Sequence, residues 1–409
     1  MTDKLQEYAR LLVAFGVNVQ RGQKLVITCA VDHAVFARAC MAIAYERGCA
    51  EVILNWTDDD CARQRYLKAD DKVFDVCPEW RVRYFTDYAK EGCAFLYLLS
   101  EDPQNLLGVD PGRIARATKS SGEALREYRE LRMKNENAWT IGALASTKWA
   151  AMVFPDLPAA EAEALLWERI FAAVRVNGDG SAVEAWRAHA AKLKERVKIL
   201  NDYRFKSLHY QNALGTDFVI ELAENHLWEA GGDKTTGGVP FMPNLPTEEV
   251  FTAPKRGGGS GLIVASMPLS LHGNVIEGIR FVVRDGRIVE ATAQKGEETL
   301  RNALAVDEGA SYFGEIALVP YDSPISRSNT LYYETLFDEN AACHFAFGEA
   351  YPTNIEGGAD MSKDERIAAG LNDSIMHVDF MVGTADLSVV GTRADGTEVV
   401  VMQDGNFVF

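Results

Sequence analysis

Residues 24–56 read KLVITCAVDHAVFARACMAIAYERGCAEVILNW. The apolar run KLVIT gives way to AVFARACMAIAYERG, whose apolar residues recur at helical spacing, and then to a second apolar run, AEVILNW. That rhythm predicts a strand, a crossover helix and a second strand parallel to the first. CAFLYLLS (93–100) and WTIGALAS (139–146) continue the apolar runs. A helical pattern at 3–15 and long Ala-, Glu- and Arg-rich stretches at 158–174 and 181–202 supply further helices. Residues 1–204 are therefore expected to form an α/β domain.

After about residue 205 the texture changes to short strand-like runs: DFVIEL (217–222), GLIVASM (261–267), IRFVVRDGRIVEATA (279–293), MHVDFMVG (376–383) and LSVVGTRADGTEVVVM (387–402). Two of these carry Asp-Gly turns between β-branched residues, a strong hairpin signal. One helix, EETLRNALA (297–305), interrupts them. Residues 205–409 are expected to form a mainly antiparallel β domain, and RGGGSG (256–261) a mobile connection between two strands. That glycine run does not open a helix or end in lysine, as a phosphate loop would.

The 409 residues carry 42 basic and 59 acidic side chains, a formal charge of -17 that would repel nucleic acid and anionic membrane surfaces. Charged residues break up the apolar content of the first helix, so it does not read as a signal peptide, and no later run is long enough to span a bilayer. The seven cysteines form an odd set with no CxxC pair, which suits mostly buried thiols in a reducing cytoplasm.

Chemistry concentrates in the second half. In MHVDF, His377 and Asp379 stand at i and i+2, on one face of a strand, with Met376, Val378 and Phe380 on the other. FDENAACHFAFGEAY adds Glu339 and His344, and GASYFGEIALVP sets Glu315 in an apolar context where an isolated carboxylate is costly to bury. NLPTEEVFTAP (244–254) places Glu248 and Glu249 side by side; if extended, one looks into a cavity and the other faces solvent, and the residues alone do not say which. Each has a plainer structural reading: Glu315 a turn cap, His344 a satisfied core histidine, Glu339 a solvated helix end. Together, four carboxylates and two imidazoles suffice for a pair of Zn²⁺, Co²⁺, Mn²⁺ or Mg²⁺ ions. Cys343 reads as core, and His33, His189, His209, His226 and His272 are scattered through the earlier chain without paired carboxylates, so no role is assigned to them.

NLPTEEVFTAP, GEIALVP, LFDENAACHFAFGEAY and NDSIMHVDFMVG, in this order, resemble the aminopeptidase T and aminopeptidase S group of metallopeptidases. The similarity extends through the opening helix, PGRIA and TKWAAMVFPD, and so covers nearly the whole chain. The resemblance implies a two-metal centre held by Glu249, Glu315, Glu339, His344, His377 and Asp379, with Glu248 as the outward neighbour of Glu249. It also brings Tyr351, of GEAYPTN, close to the metals, where a phenol can hydrogen-bond a developing oxyanion.

The activity implied is removal of N-terminal residues from peptides by a cytoplasmic homodimer, with Glu315 bridging two divalent ions, zinc foremost, and Glu248 or Glu339 passing a proton to the leaving amine. Two other classes stand beside it. A mononuclear iron dioxygenase of related fold would need only two histidines and one carboxylate, so the extra glutamates favour the hydrolase. A non-catalytic metal-binding protein would use the same ligands.

Overall fold

The computed structural model describes residues 2–271 and 274–409, so His272 lies outside the described residues. Among them the chain packs as two compact units, Met1–Arg187 with Gly232–Pro246, and Ala188–Gly231 with Thr247–Phe409. The textural break near 205 marks where helices give way to strands, but packing divides the chain elsewhere. The helix Ala182–Tyr203 sends Leu193 and Leu200 into the core of the β-rich unit. Residues 232–246 return to the first unit, where the N–H groups of Ile141, Met242 and Leu245 donate to the carbonyls of Pro243, Gly16 and Ile141.

In the first unit, β1 (Lys24–Ala30), α1 (Ala34–Glu46) and β2 (Glu51–Thr57) form the expected crossover. β1 and β2 run parallel from Lys24↔Glu51 to Ala30↔Thr57. Adding β3 (Ala94–Leu99) and β4 (Trp139–Ala143) gives a parallel sheet of order β2-β1-β3-β4. The helical spacing of Phe36, Ala37, Cys40, Ile43 and Ala44 turns one face of α1 inward.

The second unit holds two larger antiparallel sheets. One has eight strands, running from Arg287–Thr292 at one edge to Asn406–Phe407 at the other. Its Asp-Gly hairpin joins Arg280–Arg284 to Arg287–Thr292, with Asp285 at φ 48° and Gly286 at φ 69°, the left-handed pair that a two-residue turn requires. RGGGSG is not a connection between strands but part of one, Pro254–Val264. The expectation failed because glycine weakens a strand in general, whereas here it admits a neighbour. Gly259 and Gly261 have φ of 115° and 140°, and a Cβ on either would strike the carbonyl oxygens of Val219 and Asp217.

The other sheet has five strands and carries the residues of interest. β5 (Val250–Thr252), β6 (Phe313–Leu318), β7 (His344–Gly348) and β8 (His377–Met381) are neighbours in the order β8-β7-β6-β5, with Glu229–Ala230 beyond β5. One face buries Phe313, Phe345, Phe347, Val378 and Phe380 in the core, where Phe281 meets Phe380 edge-on at 5.0 Å between ring centroids. Strand alternation sends the polar residues of β7 and β8 to the opposite face.

Candidate metal centre

Register assembles the site. Glu315 on β6, Ala346 on β7 and Asp379 on β8 lie in one row across the sheet, so a single methyl group separates two carboxylates. His344 occupies the adjacent row opposite Ala317 and Met381, and His377 the row of Gly348. Glu249 precedes β5 and, two residues before Phe251, shares its face; Phe251 pairs with Ala317. Glu339 sits in the short turn Glu339–Ala341 leading to β7, and Tyr351 follows β7.

The side chains converge into two trios that could each hold an ion, Glu249–Glu315–His344 and Glu315–His377–Asp379. His344 Nε2 lies 3.5 Å from Glu249 Oε2 and 3.4 Å from Glu315 Oε1. His377 Nε2 lies 3.5 Å from Glu315 Oε2 and 3.2 Å from Asp379 Oδ1. Glu315 thus offers one oxygen to each trio. Each imidazole is held from behind, His344 Nδ1 by the Ala342 carbonyl at 3.1 Å and His377 Nδ1 by the Glu349 carbonyl at 2.7 Å. With Nδ1–H donating, Nε2 is the nitrogen turned toward the carboxylates and, once it gives up its proton, has the posture of a metal-ligating histidine. The donors are hard to borderline and anionic in excess, and they fit divalent cations.

Burial makes this charge density costly without a cation. Glu249 is 8 % and Glu315 5 % exposed. Desolvation, opposed by His344 and reinforced by Glu315 and Asp379, pushes the Glu249 carboxyl up to about 7. Desolvation and then the charges of Glu249, Asp379 and Glu315 hold the Glu339 carboxyl well above its usual range. Burial alone would lower both histidines, but the hydrogen bond to Glu315 and the charges of Glu249 and Asp379 raise His344 to about 9, and Asp379 and Glu315 raise His377 to about 10. Burial would raise Asp379, yet His377 and His344 hold it low. The cluster balances itself with protons, and a divalent cation would displace them.

Glu248 does not face solvent. It is 2 % exposed, on the face of β5 that carries Val250 and Thr252 rather than on the face of Glu249. Alternation holds, but the second face is the unit's interior, covered by the helix Ala182–Tyr203. From that helix His189 places Nε2 2.9 Å from the Thr247 carbonyl oxygen and 3.5 Å from Glu248 Oε2. Burial lowers the Arg196 guanidinium, two turns further along the same helix face, and the charge of Glu248 partly restores it. His189, without a role on sequence grounds, therefore backs the segment that carries Glu249. Its partners lie far away in sequence, so nothing local signals this.

Tyr351 has its ring 5.2 Å from that of His377 and 5.9 Å from that of Phe251. Although the residue is 37 % exposed, partial desolvation and then the charges of Glu315, Asp379, Glu339 and Glu249 hold its phenol above the ordinary tyrosine range, so it remains a donor. Glu339 and Asp379 also line a cleft with about 260 Å³ of open space, together with Leu269, Tyr333 and Met381. Cys343 is buried, as expected, and hydrogen-bonds the Val319 carbonyl.

The model of the thermophilic metalloprotease family (M29) matches residues 1–407. Aminopeptidase AmpS of Bacillus subtilis is 45% identical over 408 residues, covering 100% of this chain and 99% of the relative. The solved structure of wild-type AmpT from Thermus thermophilus superposes with a TM-score of 0.93 at 40% identity, covering 99% of each chain. A 2,5-dihydroxypyridine dioxygenase from Pseudomonas putida shares the fold alone, with a TM-score of 0.53 at 13% identity over 99% of this chain and 96% of the other.

Proposed function

The chain belongs to the thermophilic metalloprotease family M29 and is a metal-dependent aminopeptidase, and we propose that it works through a pair of divalent ions shared by Glu315. The observation that supports this reading is the division of the Glu315 carboxylate, with Oε1 toward His344 and Oε2 toward His377. Glu249, Glu315 and His344 would hold one ion and Glu315, His377 and Asp379 the other, with Glu339 as the fourth carboxylate. Zinc suits this donor set, with cobalt, manganese or magnesium as alternatives. A mononuclear iron site would use half of these residues.

Bound there, the ions would polarise the scissile carbonyl and lower the pKa of a water toward ~7. The protein's own groups do the rest. Tyr351, kept protonated, donates to the oxyanion as the carbonyl carbon becomes tetrahedral. Of the two glutamates considered for delivering a proton to the leaving amine, Glu339 lines the cleft, whereas Glu248 is turned to the interior. The acidic surroundings favour a peptide with a free, cationic α-amine.

The seven cysteines are all free, in keeping with a reducing cytoplasm, and among the described residues no helix is long and apolar enough to cross a membrane. We take the working form to be a homodimer, which sedimentation analysis would check. The central test pairs elemental analysis with assays of a dipeptide and its N-acetyl derivative. Two ions per chain and a collapse of turnover on acetylation are expected. Equal cleavage of the blocked peptide would show that the free N-terminus an aminopeptidase requires is not recognised, and saturation by a single iron with oxygen consumption would return the dioxygenase.

A further inference from the structure

Asn340, next in sequence to Glu339, is 0 % exposed. Its Oδ1 accepts from the Glu248 N–H at 2.8 Å, while Nδ2 donates to the Leu336 carbonyl at 3.0 Å and to Glu339 Oε1 at 3.2 Å. These partners fix the amide's orientation. Turned over, it would set an NH₂ against an N–H and an oxygen against two oxygens. One buried side chain therefore ties the backbone just ahead of Glu249 to the carboxylate of Glu339, across 92 positions of sequence between Glu248 and Asn340.

We propose that Asn340 is a positioning residue of the metal centre, engaging one oxygen of Glu339 so that the other is presented to an ion, and fixing Glu249 and Glu339 relative to each other. A carboxylate on a single-bonded side chain can rotate; one whose Oε1 is held by a buried donor cannot do so without breaking that bond. Partners behind the ligands commonly set metal affinity in this way. The inference rests on the two-ion reading above.

The test uses the full chain loaded with Co²⁺. Asn340→Asp keeps an acceptor for the Glu248 N–H and replaces the donor that serves Glu339 and the Leu336 carbonyl; Asn340→Ala removes both. Three quantities are read: melting temperature, the Co²⁺ binding isotherm and the visible absorption of bound cobalt. The expected result is a second Co²⁺ that binds about 10–100-fold more weakly in both variants, with an altered absorption band, in chains that melt cooperatively. A purely structural role would lower the melting temperature and leave the isotherm and spectrum of the folded chain untouched, and that outcome in Asn340→Asp overturns the proposal. If the parent chain takes up one Co²⁺, the two-ion reading has failed and this inference falls with it; if Glu339→Gln keeps both ions at parental affinity, Glu339 is no ligand and this inference alone is overturned, with the two-ion reading intact.

Discussion

The contrast between the neighbours Glu248 and Glu249 can be worked from the structure. Glu249→Gln removes a carboxylate from the Glu249–Glu315–His344 trio. It should strip metal and abolish turnover while relieving the crowding of negative charge, so the metal-free chain should melt no lower than the parent. Glu248→Gln should do the reverse. Its side chain is 3 % exposed and lies beside His189 and Arg196, so solvent does not screen its charge. Removing one partner from a buried ionic cluster costs about 3–5 kcal/mol. Because Arg196 is half-buried and glutamine keeps an acceptor oxygen, the low end, about 3 kcal/mol, is expected. For a unit of roughly 200 residues that corresponds to a fall of about 6–12 °C in melting temperature. Thermal denaturation of the metal-free chains, with metal content by equilibrium dialysis, reads both arms. Parental melting of Glu248→Gln would refute the burial argument, and parental metal content in Glu249→Gln would refute the assignment of the site.

Two further outcomes follow from the same geometry. Metal binding should release protons and strengthen as pH rises, because Glu249, raised to about 7, and His344 and His377, raised to about 9 and 10, must give up protons to become ligands. Calorimetric titration of the chelator-treated chain in buffers of different ionisation enthalpy measures that release, and a pH-independent affinity between 6 and 9 would contradict it. Tyr351→Phe should lower kcat by about 10²–10³-fold with little change in KM if the phenol donates to the oxyanion; steady-state kinetics with a saturating dipeptide would show otherwise if kcat held.

The legible parts were those in which local spacing decides the structure. The strand–helix–strand rhythm of residues 24–56 became parallel pairing residue for residue, and the i, i+2 spacing of His377 and Asp379 put both on one face of β8. What escaped depended on residues distant in sequence. Alternation gave opposite faces for Glu248 and Glu249, but the cover over the second face comes from a helix whose His189 lies 58 positions upstream of Thr247. Nothing near Asn340 announces that its partners are Leu336, Glu339 and Glu248. The glycines of RGGGSG read as a connection because their reason, the close approach of Val219 and Asp217, belongs to another strand. Residues 232–246 hold glycine, proline and short polar runs without a period, so their packing with the first unit could not be anticipated.

That returning segment also sets an order on synthesis. The first unit's contiguous part ends at Arg187, but its remaining piece, Gly232–Pro246, leaves the ribosome only after the whole of Ala188–Gly231. Until then the Thr140 hydroxyl lacks the Met242 carbonyl to which it donates, and the Asn18 amide lacks that of Pro240. The nascent parallel sheet must wait, partly unfinished, while the opening strands of the other unit emerge. A gene truncated at the textural boundary would encode this waiting state rather than a finished fold, and would hand chaperones and proteases a chain with open hydrogen-bonding groups along its margin.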